Sequence, residues 1–187
     1  MFRKIILRIA FLILYTGIVI SITLIYTPAQ IKVVRIIEKN IYPVYLSIPS
    51  IGIKTIIESM GVAKDGTMEV PSRTDIVSWY KFGTRPGAVG NAVIAGHYDN
   101  MFGLPAVFYK LDKLKIGGEV IVENNDKSIV RFRVVKSISY NSKTVSEEVF
   151  GQTTASRLNL ITCDGNWNPQ KGSYPNRLVV FTEKIME

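Results

Sequence analysis

Three side chains in this 187-residue sequence combine into one chemistry: Cys163, His97 and Arg177. The chain has a single cysteine and a single histidine. Taken singly, each of the three has a plain explanation. Free cysteine is among the most buried residue types and packs as a small apolar side chain. A lone histidine is commonly a satisfied polar residue, and an arginine at a sheet edge commonly faces solvent or a carboxylate. Their positions argue for more. Cys163 ends the apolar, β-branched run Leu158-Asn159-Leu160-Ile161-Thr162, His97 follows Asn91-Ala92-Val93-Ile94-Ala95-Gly96, and Arg177 opens Leu178-Val179-Val180-Phe181. If the strand ending at Cys163 pairs antiparallel with the strand starting at Arg177, both residues reach the same edge of the sheet. Gly96 lets the backbone turn sharply just before His97, and strand ends opening on a barrel rim are where sites are commonly built.

Such a set has a coherent mechanism. A thiol must lose its proton to attack, which requires an electropositive, partly exposed setting. The thiolate adds to a carbonyl carbon, an imidazolium gives a proton to the leaving amine, and a guanidinium stabilises the oxyanion or holds the substrate backbone. Arginine suits that role because its planar fork keeps its charge and offers several donors. The reaction implied is acyl transfer through a thioester, resolved by water in a cysteine peptidase or hydrolase, or by an amine in a transpeptidase. A third reading, from another class, is a catalytically silent envelope-binding module docked by its basic charge.

The elements that must position these residues are legible in outline. A hydrophobic content of 47% in 187 residues can fill one domain core. The formal charge of +8 admits nucleic acid, anionic lipid or a negatively charged cell envelope as partner. The basic residues are scattered and form no nucleic-acid-binding signature, so nucleic acid is not expected. A single cysteine excludes an intramolecular disulfide and a cysteine-pair zinc site.

The N-terminus carries Arg3, Lys4 and Arg8, and Ile9 to Tyr26 is free of charge. Ile5 to Tyr26 meets the length of about 20 apolar residues that a spanning helix needs. Thr27-Pro28-Ala29-Gln30 is a poor small-x-small cleavage site, which favours an uncleaved signal anchor over a signal peptide. The cluster before the span is denser than Lys32, Arg35 and Lys39 after it, which points to an N-terminus inside and a working domain outside the cell. The division expected is 1–26 as cytoplasmic N-terminus and membrane anchor, 27–41 as stalk, and 42–187 as catalytic domain.

From Tyr42 onward, short apolar segments alternate with Gly, Pro, Asn and Asp, which predicts an all-β domain closed, or nearly closed, into a barrel. The expected strands are Val44 to Ile48, Lys54 to Glu58, Asn91 to Ala95, Glu119 to Glu123, Ser128 to Ser139, Arg157 to Thr162 and Leu178 to Thr182. Turns fall at Pro49-Ser50-Ile51-Gly52, Ile116-Gly117-Gly118 and Asn124-Asn125-Asp126. Short helical turns are expected near Ile76 to Tyr80, Leu104 to Leu111 and Glu147 to Phe150.

The ordered fragments Met68-Glu69-Val70-Pro71, Trp79-Tyr80, Arg85-Pro86-Gly87, Ala95-Gly96-His97, Pro105 to Leu111 and Leu160-Ile161-Thr162-Cys163, with Arg177 downstream and an anchor upstream, resemble a sortase. Sortases are cysteine transpeptidases of Gram-positive surfaces. His97-Tyr98-Asp99 and Thr162-Cys163-Asp164-Gly165 are more similar to class E and class F members than to class A or B. The resemblance covers Tyr42 to Phe181 and implies the sortase β-barrel. It implies Cys163 as acylated nucleophile, His97 as proton donor and acceptor, and Arg177 as oxyanion or substrate-positioning residue. It also implies a sorting-signal peptide of the LPXTG type, cut after its threonine, and an amine acceptor on a peptidoglycan precursor or a pilin lysine.

No cofactor is expected. Glu147 and Glu148 sit where some class A members bind calcium, but paired glutamates on a solvated turn are the commoner arrangement, and no metal is expected. Asp99, two residues after His97, is expected to be structural, capping the turn that follows, rather than to orient the histidine. Trp167 and Tyr174, in the loop between Cys163 and Arg177, either line a peptide groove or pack their own loop. Trp79 and Tyr80 are expected in the core.

Overall fold

A computed structural model describes residues 41–144 and 147–186; the expected span and most of the stalk lie outside the described residues. Eight strands run in chain order as β1 (Pro43–Ile48), β2 (Ile53–Met60), β3 (Val77–Tyr80), β4 (Gly90–Gly96), β5 (Glu119–Asn124), β6 (Ile129–Asn141), β7 (Ser156–Asp164) and β8 (Asn176–Lys184), with one short helix, α1 (Glu147–Phe150), between β6 and β7. They close into a barrel in the order β1-β2-β3-β4-β7-β8-β6-β5.

The alternation read from the sequence explains how the barrel fills. Along β7, Leu158, Leu160 and Thr162 are buried, and the two leucines join Leu46, Ile48, Ile94, Phe108, Phe132 and Val180 in the main core. The intervening residues of a strand point to the opposite face. Here Ile161 packs outside the barrel with Val93, Val149, Val179 and Phe181 in a second apolar cluster. That outer cluster is roofed by α1. Asn159 on β7 donates to the carbonyl of Val149 at 2.8 Å, and Asn91 on β4 donates to the carbonyl of Gly151 at 2.8 Å. Lys136 completes the roof, stacked 4.4 Å from the centroid of Phe181 and paired with Glu148. Burying a side chain such as Phe181 contributes about 1.5–3 kcal/mol, so the roof is part of the fold's cohesion.

Two of the expected helical turns are not helices. Ile76 to Tyr80 contains β3, which pairs parallel with β2 (Ile57↔Val77) and antiparallel with β4 (Trp79↔Ile94). Four residues are too few to show a period of two, but Ser-Trp-Tyr fits a pleated surface and the strand closes the gap between β2 and β4. Trp79 is buried and donates to the carbonyl of Thr84 at 3.1 Å, whereas Tyr80 is half-buried. Leu104 to Leu111 forms a bridge and turns ending in a single 3-10 turn, Leu111–Lys113. Two of its backbone donors go to the strand-end segment, Phe108 N–H to His97 at 2.9 Å and Ala106 N–H to Tyr98 at 3.0 Å, and Val107 N–H goes to Thr74, so no helical ladder forms. The helix at Glu147 to Phe150 stands as expected, and each of the seven expected strands is present, most of them longer than the apolar run alone indicates.

The close pass of Phe108 beneath β4 sets a steric limit. A Cβ on Gly96 would lie 2.7 Å from Phe108 Cδ2, and Phe108 is fully buried. Gly96→Ala should therefore destabilise the domain by about 1–3 kcal/mol through overpacking, read as a lower urea midpoint with unchanged m-value; an unchanged midpoint would show that Phe108 yields freely.

Candidate active site

The site is assembled by two ladders that share β7. On one edge β7 runs parallel to β4, with Ala95 opposite Ile161. Two residues further along each chain stand His97 and Cys163. The Thr162 hydroxyl donates to the carbonyl of Gly96 at 2.9 Å, tying the two segments together where the ladder ends. On its other edge β7 pairs antiparallel with β8, and Cys163 is the direct partner of Arg177. Neighbouring strands lie about 4.8 Å apart, so nucleophile, imidazole and guanidinium come from three adjacent strand ends. Cys163 shares its face with Ile161, the face of the outer cluster. The three stand at strand ends, and the alternation of β7 sets Cys163 on the outward face with Ile161, because the even positions of β7 fill the interior.

Cys163 is a free, partly exposed thiol. Burial pushes its pKa up, Arg177 pulls it down, and Asp99 pushes it up. Of these influences, Arg177 is the one that favours ionisation of the sulfur. His97 Nε2 lies 2.8 Å from the carbonyl oxygen of Pro71. A carbonyl oxygen only accepts, so Nε2 carries the hydrogen and Nδ1 is the nitrogen left to take or give a proton. Arg177 uses Nη1 alone, donating to the carbonyls of Asn176 at 2.9 Å and Tyr174 at 3.4 Å. Its remaining donors have no protein partner among the described residues, which is the state a developing oxyanion requires of a donor.

One wall of the site is aromatic. Tyr98 packs on Tyr109 and Tyr174 with ring centroids 5.0 and 5.7 Å apart, and Trp167 packs edge-on against Tyr174 at 5.2 Å. The Tyr174 hydroxyl donates to Asp99, and burial, then this bond, raise the phenol's pKa, so Tyr174 stays a donor. Asp99 therefore does not cap the following turn. Asn100 does, accepting from the N–H groups of Phe102 at 2.9 Å and Leu104 at 3.0 Å. Of the two loop aromatics, Tyr174 is 7% exposed and packs the loop, whereas Trp167 is 52% exposed and packs edge-on against it. Glu148 is engaged by Lys136 and by the Tyr140 hydroxyl at 2.7 Å. Among the described residues no group of three or more His, Cys, Asp or Glu side chains is placed to hold a metal ion.

The architecture and the sequence pattern converge on a known family: residues 46–185 match the sortase domain. The chain belongs to the sortase family. The solved structures it resembles include the Group B Streptococcus pilus island 1 sortase C2, at 22% identity over 76% of this chain and 73% of that one, with a TM-score of 0.58. Sortase C-1 of Actinomyces oris is similar at 22% identity over 78% and 76%, with a TM-score of 0.60. A Clostridium perfringens sortase D5 transpeptidase is similar at 21% identity over 78% and 79%, with a TM-score of 0.57. At these identities the likeness is one of fold, and it does not select class E or class F. No curated protein sequence matches.

In this sortase the three strand-end residues and Tyr174 are legible in the sequence, and their other supports are not. Pro71 reaches His97 across a separation of 26 residues, and Tyr98 enters the wall through loop contacts that no spacing encodes. The Thr162 hydroxyl leaves a signal, as a polar residue at a position whose parity requires burial. The electrostatic balance at the sulfur is testable by following alkylation of Cys163 against pH. Arg177→Gln should move the thiol titration to higher pH and Asp99→Asn to lower pH, because the first removes a cation and the second an anion; coincident profiles would mean that neither charge reaches the sulfur.

Proposed function

We propose that this sortase cleaves an LPXTG-like sorting signal through a thioester on Cys163 and passes the acyl group to an amine. The observation that carries the reading is the register that sets Cys163 opposite Arg177 and, on the other edge, beside the segment ending in His97. The Cys163 proton passes to His97 Nδ1, and the thiolate adds to the carbonyl carbon of the signal's threonine. Arg177 holds the oxyanion while the imidazolium returns the proton to the departing amine nitrogen. An acceptor amine then attacks the thioester as the neutral base. Its excess proton passes to His97, and the sulfur leaves as thiolate beside Arg177, ready for the next signal.

The acceptor is an amine of a peptidoglycan precursor or a lysine of a pilin; the second gains from similarity to structures named for pilus assembly. Residues 1–26 anchor the enzyme in the cell membrane of a Gram-positive bacterium, with the N-terminus inside and residues 42–187 outside. This is supported by the uncharged run from Ile9 to Tyr26 behind Arg3, Lys4 and Arg8.

Incubation of the protein with an LPXTG-type peptide and triglycine should yield the ligated peptide, and Cys163→Ala should yield none. His97→Ala should lower turnover by at least about 100-fold, and Arg177→Lys by about 100-fold with little change in folding, since a point charge does not replace the fork. Hydrolysis that added amine does not divert would replace the reading with a peptidase. Absence of any reaction, with wall binding intact in Cys163→Ala, would replace it with a binding module.

A further inference from the structure

Asp99 stands where a nucleophilic thiol is least helped by it. It is close enough to Cys163 to oppose the ionisation that Arg177 favours, and it lies two residues beyond His97. In a chain with 23 Lys and Arg against 15 Asp and Glu, it has no ion-pair partner among the described residues. Its only hydrogen bond there is from the Tyr174 hydroxyl, which occupies Oδ2 and leaves Oδ1 without a protein partner. Tyr174 carries the aromatic surface beside it: its ring meets Tyr98 on one side and the half-exposed Trp167 on another, each edge-on. A carboxylate with a free oxygen beside aromatic faces is the arrangement that recognises an organic ammonium, by charge-assisted hydrogen bonding and by cation–π attraction.

We propose that Asp99, with Tyr98, Tyr174 and Trp167, forms the subsite that receives the acyl acceptor as a protonated primary amine. The inference rests on the reading of the site as an amine acyltransferase. The thioester is electrically neutral and attracts no ammonium by itself, and Arg177 repels one. Asp99 offsets that repulsion on the His97 side, and so draws the acceptor toward the base that must take its proton. The ammonium gives one proton up to solvent on arrival, before the nitrogen attacks, so that neutral His97 is left to take the second; the subsite binds and aligns but forms no bond. The carboxylate thus disfavours the first half-reaction slightly and assists the second.

The test is competition at the acyl-enzyme between triglycine, whose amine is largely protonated at neutral pH, and hydroxylamine, which is largely uncharged. Wild type, Asp99→Asn and Tyr174→Phe are each supplied with the LPXTG-type peptide, and the ratio of triglycine product to hydroxamate is measured at low and high salt. Asp99→Asn keeps an acceptor for the Tyr174 hydroxyl and removes only the charge. It should lower the ratio by about tenfold, and the ratio should fall with salt in wild type but not in this variant. Tyr174→Phe loses the hydrogen bond yet keeps the carboxylate, so whatever the size of its ratio, that ratio should stay salt-sensitive. An unchanged ratio in Asp99→Asn, or a loss of salt sensitivity in Tyr174→Phe, would overturn the subsite and leave Asp99 as a loop tie. Wild type giving neither product would instead overturn the acyltransfer reading, and the inference with it.

Discussion

β7 is hydrogen-bonded along both edges, parallel to β4 as far as Ile161 and antiparallel to β8 as far as Asp164, and the Thr162 hydroxyl carries the first contact on to Gly96. Parallel pairing brings the carboxyl end of β4 alongside the carboxyl end of β7; antiparallel pairing brings the amino end of β8 there as well. No loop has to fold accurately to bring sulfur, imidazole and guanidinium together, because strand register does it. The same register divides β7 between its two faces, Leu158 and Leu160 inward and Ile161 outward. A slip of one residue would turn Cys163 into the core and expose the leucines. The stability of the core therefore protects the chemistry of the outer face.

The electrostatics around the sulfur are mixed. Burial and Asp99 hold the proton on, and Arg177 works against both. A thiol whose pKa were strongly depressed would give a less basic and intrinsically weaker nucleophile, whereas a thiol that ionises when a base and a guanidinium are in place is reactive where substrate sits. His97 is fixed for that exchange by Pro71, whose carbonyl occupies Nε2.

The barrel was legible because its strands carry apolar alternation and are bounded by Gly, Pro, Asn and Asp. β3 was not, since at four residues its identity comes from its neighbours: β2 and β4 supply the hydrogen bonds that make Val77–Tyr80 a strand. The three strand-end residues were legible because each is polar at the end of an apolar run, and polarity at such a position is locally unexpected. Apart from Tyr174, what surrounds them was not. Pro71 and Tyr98 are ordinary in their own segments, and their meaning lies in tertiary contacts, Pro71 with His97 and Tyr98 with Tyr174. The face that carries the site was not legible for a related reason. Parity distinguishes two faces of a strand, but which one fills the barrel depends on the whole sheet.

Tyr174 is bonded at both ends of the residue. Its hydroxyl reaches Asp99 on the segment after His97, and its backbone carbonyl accepts from Arg177. The loop between β7 and β8 is consequently not an independent cassette. A loop transplanted from another sortase to alter acceptor choice would carry the carbonyl but lose its counterpart on the β4 side, unless the Asp99 segment were exchanged with it. For protein engineering, the heritable unit is the pair of loops.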